Sequence, residues 1–168
     1  MTWRSVLFLI LLPSVLYADW STEGFTEEQQ FQFSSSLCQQ KLFYSCFHAS
    51  EAYLKSFPPN PNTESIIWLW AFSSEKAEFP LHVSLSFYQE FSKRFPTSPR
   101  NFDSILAQGR LEVRRHRYPQ AMTLLEPLVQ ETQVSSSLQS EASYWLGVAN
   151  FQSAIRSNPQ ISNEQAKI

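Results

Sequence analysis

The scarcity of glycine is the feature that most restricts the fold of this chain. The sequence contains three glycines, Gly24, Gly109 and Gly147, and no two of them lie closer than 38 positions. A dinucleotide-binding fingerprint, a phosphate-binding loop and a nucleophile elbow each require at least two glycines close together in the sequence. Those sites are therefore excluded. A β-sandwich or barrel is disfavoured because its tight turns use glycine, so the composition favours an all-α fold.

The charge balance restricts the partners. Lysine and arginine contribute 13 residues and aspartate and glutamate 15, which gives a formal charge of −2 and a pI near 5.9. Proteins that bind nucleic acid or an anionic membrane surface need a surplus of cations. We therefore expect no nucleic-acid partner, and membrane association only through partner proteins.

The start of the chain, 1–18, has the pattern of a secretory signal peptide. Arg4 precedes an almost wholly apolar segment over 5–15, and the small residue Ala18 precedes Asp19. This pattern predicts cleavage after Ala18. An uncleaved anchor is the alternative, but the segment falls short of the roughly 20 residues that a bilayer core requires. The remainder of the chain, 19–168, is expected to form a single exported domain.

Export makes a disulfide between Cys38 and Cys46 possible, because disulfides persist in oxidising compartments. On one continuous helix the two residues would stand about 12 Å apart along the axis, too far for a disulfide. A turn near 39–41 would instead let them face each other. Two unpaired buried cysteines are the alternative. Two cysteines without a C-x-x-C motif do not support a structural zinc site.

Helical segments separated by proline and serine make up the rest of the chain. Thr26 and Gln29 have the spacing of a capping box, and several later segments begin beside a proline. The sequence predicts helices at about 26–40, 41–57, 63–78, 80–95, 98–117, 118–134 and 138–151. No linker is long enough to separate domains, so we expect one array of short antiparallel helices.

A regular period runs through this array. Phe57-Pro58 recurs 38 positions later as Phe95-Pro96, and the small residues Ala71, Gly109 and Gly147 recur at the same interval. Because two independent markers share one period, the sequence predicts a repeat protein.

The order Gly109, Tyr118, Ala121 resembles the tetratricopeptide repeat, in which small residues on two antiparallel helices let the backbones approach. The segments 87–99 and 141–147 resemble bacterial periplasmic members of this family, of the Tol-Pal-associated cell division coordinator and outer-membrane assembly lipoprotein type. The resemblance implies a solenoid of antiparallel helix pairs with about three to four repeats. It also implies an adaptor without catalytic activity. A generic array of helical hairpins is the alternative.

The resemblance further implies which residues line a concave groove. Counted from the small residue of each first helix, the set contains aromatic, aliphatic and cationic side chains: Trp68, Phe72, Leu106, Arg110, Val113, Arg114, Tyr144, Val148 and Phe151. Trp68, Phe72, Arg110, Arg114, Tyr144 and Val148 are the expected partner-binding residues. Aromatic and arginine side chains supply much of the energy of protein interfaces, so a peptide or helix with apolar and acidic residues would fit.

Other residues of the same segments receive structural roles. Arg115 and Arg117 are expected to be solvated, and the whole cationic run could simply favour the carbonyl end of a helix. Four aromatic residues are expected in the core: Phe43, Trp70, Phe91 and Trp145.

A metal site is not expected. His48, His82 and His116 recur at equal intervals in the sequence. Residues one repeat apart in a solenoid lie about 10 Å from each other, whereas zinc ligands lie about 2 Å from one ion.

Together these patterns predict a non-catalytic interaction scaffold of the bacterial cell envelope, exported to the periplasm. It would bind an envelope protein or peptide and use no cofactor or small-molecule substrate. A secreted helical effector or surface factor is the alternative. The segment 160–168 could begin a partner helix, and solenoid ends are normally capped. We therefore expect the native polypeptide to continue beyond Ile168, or a partner to cover this end.

Overall fold

The computed structural model describes residues 24–158, and these residues form helices joined by short turns. The helices are α1 (Glu27–Gln39), α2 (Phe43–Ser56), α3 (Thr63–Lys76), α4 (Leu81–Arg94), α5 (Asn101–Arg114), α6 (Tyr118–Gln130) and α7 (Ser136–Ser157). The described range contains no strand. The prediction of an all-α fold is confirmed, and each predicted segment overlaps one helix. The expected signal peptide at 1–18 and partner helix at 160–168 lie outside the described residues.

Side-chain caps define two of the helix starts. The Thr26 hydroxyl accepts a hydrogen bond from the Gln29 backbone N–H, and the Gln29 side chain accepts one from the Thr26 N–H. This confirms the predicted capping box of α1. At α7, the Ser135 side chain accepts from the Leu138 N–H. Each cap satisfies a donor that the first helical turn cannot bond internally.

The same turn ends the first helix of each of the pairs α1–α2, α3–α4 and α5–α6. Lys41, Glu78 and His116 occupy these turns in the left-handed region, with φ of 61°, 59° and 60°. In each turn the N–H of the next residue donates to a carbonyl five positions back, in the pairs Leu42–Leu37, Phe79–Ser74 and Arg117–Glu112. These bonds are those of a Schellman C-cap. The three helix pairs are therefore copies of one structural unit.

The pairs stack into a helical solenoid. Each helix packs against the next, and α1 also contacts α3, as α5 contacts α7. Between α3 and α5, in contrast, no two Cα atoms lie within 8 Å. The side chains of Ala71, Leu85, Tyr88, Ala107 and Leu111 form one buried cluster across this wider gap. The first helices thus lie side by side in two pairs, α1 with α3 and α5 with α7, and side chains connect α3 to α5.

Helix α7 continues past the position at which the earlier first helices turn. Ala154 stands one repeat period after His116, yet it lies inside α7, which ends at Ser157. The predicted end near Phe151 is therefore too early, because no proline interrupts the sequence between Leu128 and Asn158. Neither α7 nor any other helix within 24–158 is long and apolar enough to cross a membrane.

Of the four aromatic residues expected in the core, one is fully buried. Phe91 is completely buried. Trp70, Trp145 and Phe43 are half-buried. Trp70 nevertheless packs with its ring centroid 4.0 Å from that of Phe87, and Trp145 packs against the buried cluster shared by α5, α6 and α7. These rings lie at the margin of the core.

A disulfide joins Cys38 at the end of α1 to Cys46 in the first turns of α2, with the Cα atoms 5.2 Å apart. The turn at Lys41 lies between them and brings the two helices face to face. Cys46 is fully buried beside Leu37 and Ala49. One long helix through both cysteines, the alternative in which they could not pair, is therefore not present.

Replacing Cys38 and Cys46 together by alanine is expected to lower the free energy of unfolding by about 2 to 3 kcal/mol, because the bond closes a short loop in the unfolded chain. Urea denaturation of the oxidised protein and the variant measures this difference. Reduced wild-type protein is the matched control and should resemble the variant. Equal stabilities of oxidised protein and variant would contradict the expectation.

Candidate interaction surface

Arg110 lies at the centre of the face formed by α3, α5 and α7. Its Nη2 lies 2.8 Å from Oε2 of Glu75 on α3, and its Nη1 lies 2.9 Å from Oε1 of Glu141 on α7. Its Nε also donates to Glu75 at 3.2 Å. One guanidinium on α5 therefore connects three helices, including α3, whose backbone lies apart from that of α5.

Glu75 is a nearly buried carboxylate, with its side chain 7% exposed. Besides the bonds from Arg110, it accepts a hydrogen bond of 3.0 Å from the Tyr88 hydroxyl. Burial, with the neighbouring Glu75 charge, raises the pKa of Tyr88, so this hydroxyl remains a donor. Burial alone would lower the pKa of Arg110, but its hydrogen bonds and attraction to Glu75 raise it overall. The donors around Glu75 are therefore kept protonated.

This network changes the role expected for Arg110. Its side chain is 22% exposed and its charge is balanced by two carboxylates, so little of that charge remains for a partner. Arg114, one turn later, is 47% exposed, and its Nη1 lies 3.8 Å from Glu75. Of the two expected groove cations, Arg114 is the one that a partner can reach.

Trp68 and Phe72 combine packing with partial exposure. The Trp68 ring meets the rings of Tyr88 and Phe91 edge-on, with centroid distances of 5.8 and 5.4 Å. The ring centroid of Phe72 lies 5.8 Å from that of Phe43 on α2. Both residues are half-buried, so each offers part of a ring at the surface while it joins neighbouring helices.

On α7 the expected residues are more accessible. Tyr144 is 63% exposed, and Phe151 is 60% exposed. Val148 is half-buried and packs against the core cluster. The α7 part of the expected groove is thus an aromatic surface with an aliphatic base.

Three expectations about neighbouring residues are wrong. Leu106 and Val113 line no groove, because they are 5% and 7% exposed and belong to the core cluster that contacts α6 and α7. Arg115 is not solvated: its side chain is 19% exposed, and Nη1 lies 3.2 Å from the carboxylate of buried Glu112. Arg117 is exposed, as expected.

The repeat relates the exposed residues of α7 to buried ones of α5. Gly109 faces Leu125 of α6 so closely that an added Cβ would lie 2.5 Å from a Leu125 methyl carbon. Around Gly147 no atom of the described residues, apart from the neighbouring residues and backbone of α7 itself, would lie within 4 Å of an added Cβ. We define the α7 stripe as Tyr144, Gly147 and Phe151, the counterparts of Leu106, Gly109 and Val113. The face that α5 buries is therefore not covered on α7 by any other helix of the described range 24–158.

The sequence analysis did not identify Glu75 as part of the site, although its position in the repeat indicates that it is buried. Glu75 stands one repeat period before Val113, which is buried. A carboxylate at a buried register position requires a cation nearby, because an unpaired buried charge is costly. Aligning the repeats would therefore have suggested an intramolecular role for Arg110.

Two of the three histidines, His48 and His116, make local contacts. His116 Nδ1 lies 2.9 Å from the Tyr118 hydroxyl, and His48 lies 3.6 Å from Glu51. Within the part of the chain that the structure describes, no group of three or more histidine, cysteine, aspartate or glutamate side chains could hold a metal ion.

No protein-family model matches the sequence, and no curated protein matches it.

Proposed function

We propose that this protein is a non-catalytic interaction scaffold of the tetratricopeptide-repeat type in the bacterial cell envelope. It binds a peptide or a helical segment of an envelope protein on the face formed by α3, α5 and α7. Three copies of one helix-turn-helix unit and the close contact of Gly109 with α6 support the repeat type. An enzyme would require a polar cluster that could perform chemistry, and the central polar cluster, around Glu75, has its groups bonded to one another.

The α7 stripe is the observation that carries this proposal. Tyr144 and Phe151 are each at least 60% exposed, although their counterparts on α5 are buried. Large aromatic side chains at a surface are typical anchors for partners. A stripe with a glycine at its centre also lets another backbone approach closely.

Charge near the stripe favours a partner with acidic residues. Glu141 pairs with Arg110, and Tyr144 follows Glu141 by one helical turn, as Arg114 follows Arg110. Because α5 and α7 are both first helices of the array, we expect Tyr144 and Arg114 to lie at a similar level of this face. The proposed binding surface therefore consists of the α7 stripe together with Phe72, Arg114 and Val148. Trp68 and Arg110 adjoin it and make contacts within the protein.

We test this surface by photo-crosslinking in the producing cells. A benzophenone amino acid replaces Tyr144, and in a control protein it replaces Tyr44, which is equally exposed at 62%. We expect a discrete adduct with an envelope protein from position 144 and none from position 44. The adduct should weaken at least about fivefold when Arg114→Glu is added, since reversing a charge at an interface slows association.

Arg117→Glu is the matched charge control, because Arg117 is exposed but lies outside the surface. Arg117→Glu should leave the melting temperature unchanged, since exposed substitutions usually alter stability by less than about 0.5 kcal/mol. Arg114→Glu should lower it modestly, because it places a negative charge near Glu75, from which Arg114 lies 3.8 Å. Equal adducts from positions 144 and 44, or an adduct insensitive to Arg114→Glu, would argue that partners bind elsewhere.

Cell fractionation tests the compartment. We expect a product that lacks the segment 1–18 in the periplasmic fraction. The same product found mainly in the culture medium would favour a secreted effector or surface factor instead.

A further inference from the structure

A cleft of about 390 Å³ lies beside Arg114, where α3 ends and α4 begins. Glu75 and Glu78 line it from α3 and the following turn, and Leu81 and Ser84 line it from the first turns of α4. Arg114, in the last turn of α5, lines the cleft from a third helix. The cleft therefore joins the proposed binding surface at its accessible cation.

The α4 side of the cleft carries hydrogen-bond donors without acceptors. Ser84 is 1% exposed, and its hydroxyl has no hydrogen-bond partner among the described residues. A buried hydroxyl without a partner is costly, so a group that accepts a hydrogen bond from Ser84 would be stabilising here. The cleft is the space that such a ligand would occupy.

The backbone adds donors of the same kind. Helix α4 is 14 residues long, and its N-cap, Pro80, provides no capping side chain. The N–H group of Leu81, which lines the cleft, and that of the next residue, His82, donate to no acceptor within the described chain. The start of a helix also carries about half a unit of positive charge, which favours an anion.

The acceptors in the cleft are, in contrast, largely satisfied. Glu75 is bonded by Arg110 and Tyr88. The carbonyls at the end of α3 accept from Ala77, Glu78 and Phe79. Glu78 is the opposing charge, and it is exposed at the rim. The cleft thus contains unused hydrogen-bond donors and the accessible guanidinium of Arg114. Of its two carboxylates, Glu75 is already paired with Arg110 and Glu78 is not.

We propose that this cleft binds a carboxylate group, supplied by an aspartate or glutamate side chain of the partner peptide. The carboxylate accepts hydrogen bonds from Ser84 and from the first N–H groups of α4, and it pairs with Arg114. A singly charged group suits the cleft better than a phosphate dianion, because Glu75 and Glu78 repel the second charge. The inference rests on the proposed function, since it identifies part of the partner's chemistry.

Titration of the isotopically labelled protein with sodium acetate tests the cleft without any partner. We expect saturable shifts of the Leu81 and His82 amide signals. Ser84→Ala and Arg114→Gln should each weaken acetate binding about tenfold, since each removes a hydrogen bond to a charged group. Glu78→Gln should strengthen it, because a repelling charge is lost. Arg117→Gln is the matched control and should have no effect.

Each other outcome overturns the proposal. Unshifted Leu81 and His82 signals would show that the N-terminus of α4 takes no carboxylate, and unchanged affinity in Ser84→Ala or Arg114→Gln would show that these groups do not hold it. Tighter binding of inorganic phosphate than of acetate would assign a different ligand class. Circular dichroism checks that both variants fold, which is expected because Ser84→Ala removes a hydroxyl without a partner.

The two proposals fail separately. If acetate binds as described but position 144 gives no adduct, the proposed binding surface around Tyr144 is wrong and the carboxylate site stands. If the adduct forms normally in Ser84→Ala, the scaffold function stands and its partner does not use this cleft.

Discussion

Replacing Arg110 by glutamine is expected to lower the free energy of unfolding by about 3 kcal/mol or more, because it leaves a buried carboxylate without its cation. Glu75 is 7% exposed, and Arg110 provides its charge partner at 2.8 Å. Glutamine retains donor groups but no charge. Urea denaturation, followed by circular dichroism, measures the loss.

Three further variants separate the charge from the packing. Glu75→Gln combined with Arg110→Gln removes both charges and should recover most of the lost stability. Arg110→Lys keeps the charge but cannot form the forked contact to Glu75, so an intermediate loss is expected. Arg114→Gln removes an exposed arginine 3.8 Å from the same carboxylate and should cost under about 1 kcal/mol. A similarly small loss for Arg110→Gln would mean that Glu75 is solvated.

This result also bears on tests of partner binding. Reversing Arg110 and Arg114 together is the experiment that the sequence alone suggests. The structure advises against it, because a glutamate at position 110 would face buried Glu75 and destabilise the protein. Arg114 can be changed by itself, since its side chain is 47% exposed.

The fold was largely predictable because its helix boundaries coincide with local signals. The capping box at Thr26 and the prolines at 58, 80, 96 and 119 each lie at or next to a helix boundary or connection. The regular spacing of Ala71, Gly109 and Gly147 reflects one repeated unit. Such signals act over short stretches of sequence, so a single sequence can reveal them.

The turns within the pairs were less predictable. Left-handed turn residues are usually glycine or asparagine, whose small or locally bonding side chains tolerate positive φ. Here lysine, glutamate and histidine occupy the three positions. These turns therefore carry no glycine or asparagine by which the sequence would predict them. Their common geometry is seen in the hydrogen bonds that close them.

The candidate site was predicted less well, because side-chain exposure depends on which helices follow. Leu106 and Tyr144 occupy equivalent positions in the repeat, yet one is 5% and the other 63% exposed. Position in the repeat fixes the face of a helix. Distant residues decide whether another helix covers that face. Arg110 is a similar case, because its charge is paired with Glu75, 35 positions away, and is therefore not available to a partner as expected.

The same contrast gives the second large effect: Gly109→Ala and Gly147→Ala are expected to change stability in opposite directions, with a difference of about 3 kcal/mol. At Gly147 an added Cβ meets no atom within 4 Å, so alanine should stabilise the helix by about 1 kcal/mol. At Gly109 the Cβ would lie 2.5 and 2.6 Å from two carbons of Leu125. Because Leu125 is fully buried, it cannot move aside without disturbing the core.

Urea midpoints of the two variants, measured beside the wild-type protein, provide the comparison. Leu125→Ala is the control for the cause of the loss at Gly109. In that background Gly109→Ala should cost little or should stabilise, because the obstructing side chain is gone, whereas Gly147→Ala should keep its effect. If Gly109→Ala stabilised the protein as much as Gly147→Ala does, α5 and α6 would be packed more loosely than the Gly109–Leu125 contact requires. Gly109 and Gly147, the buried and exposed copies of one repeat position, would then not differ in packing, contrary to what the exposure of the α7 stripe implies.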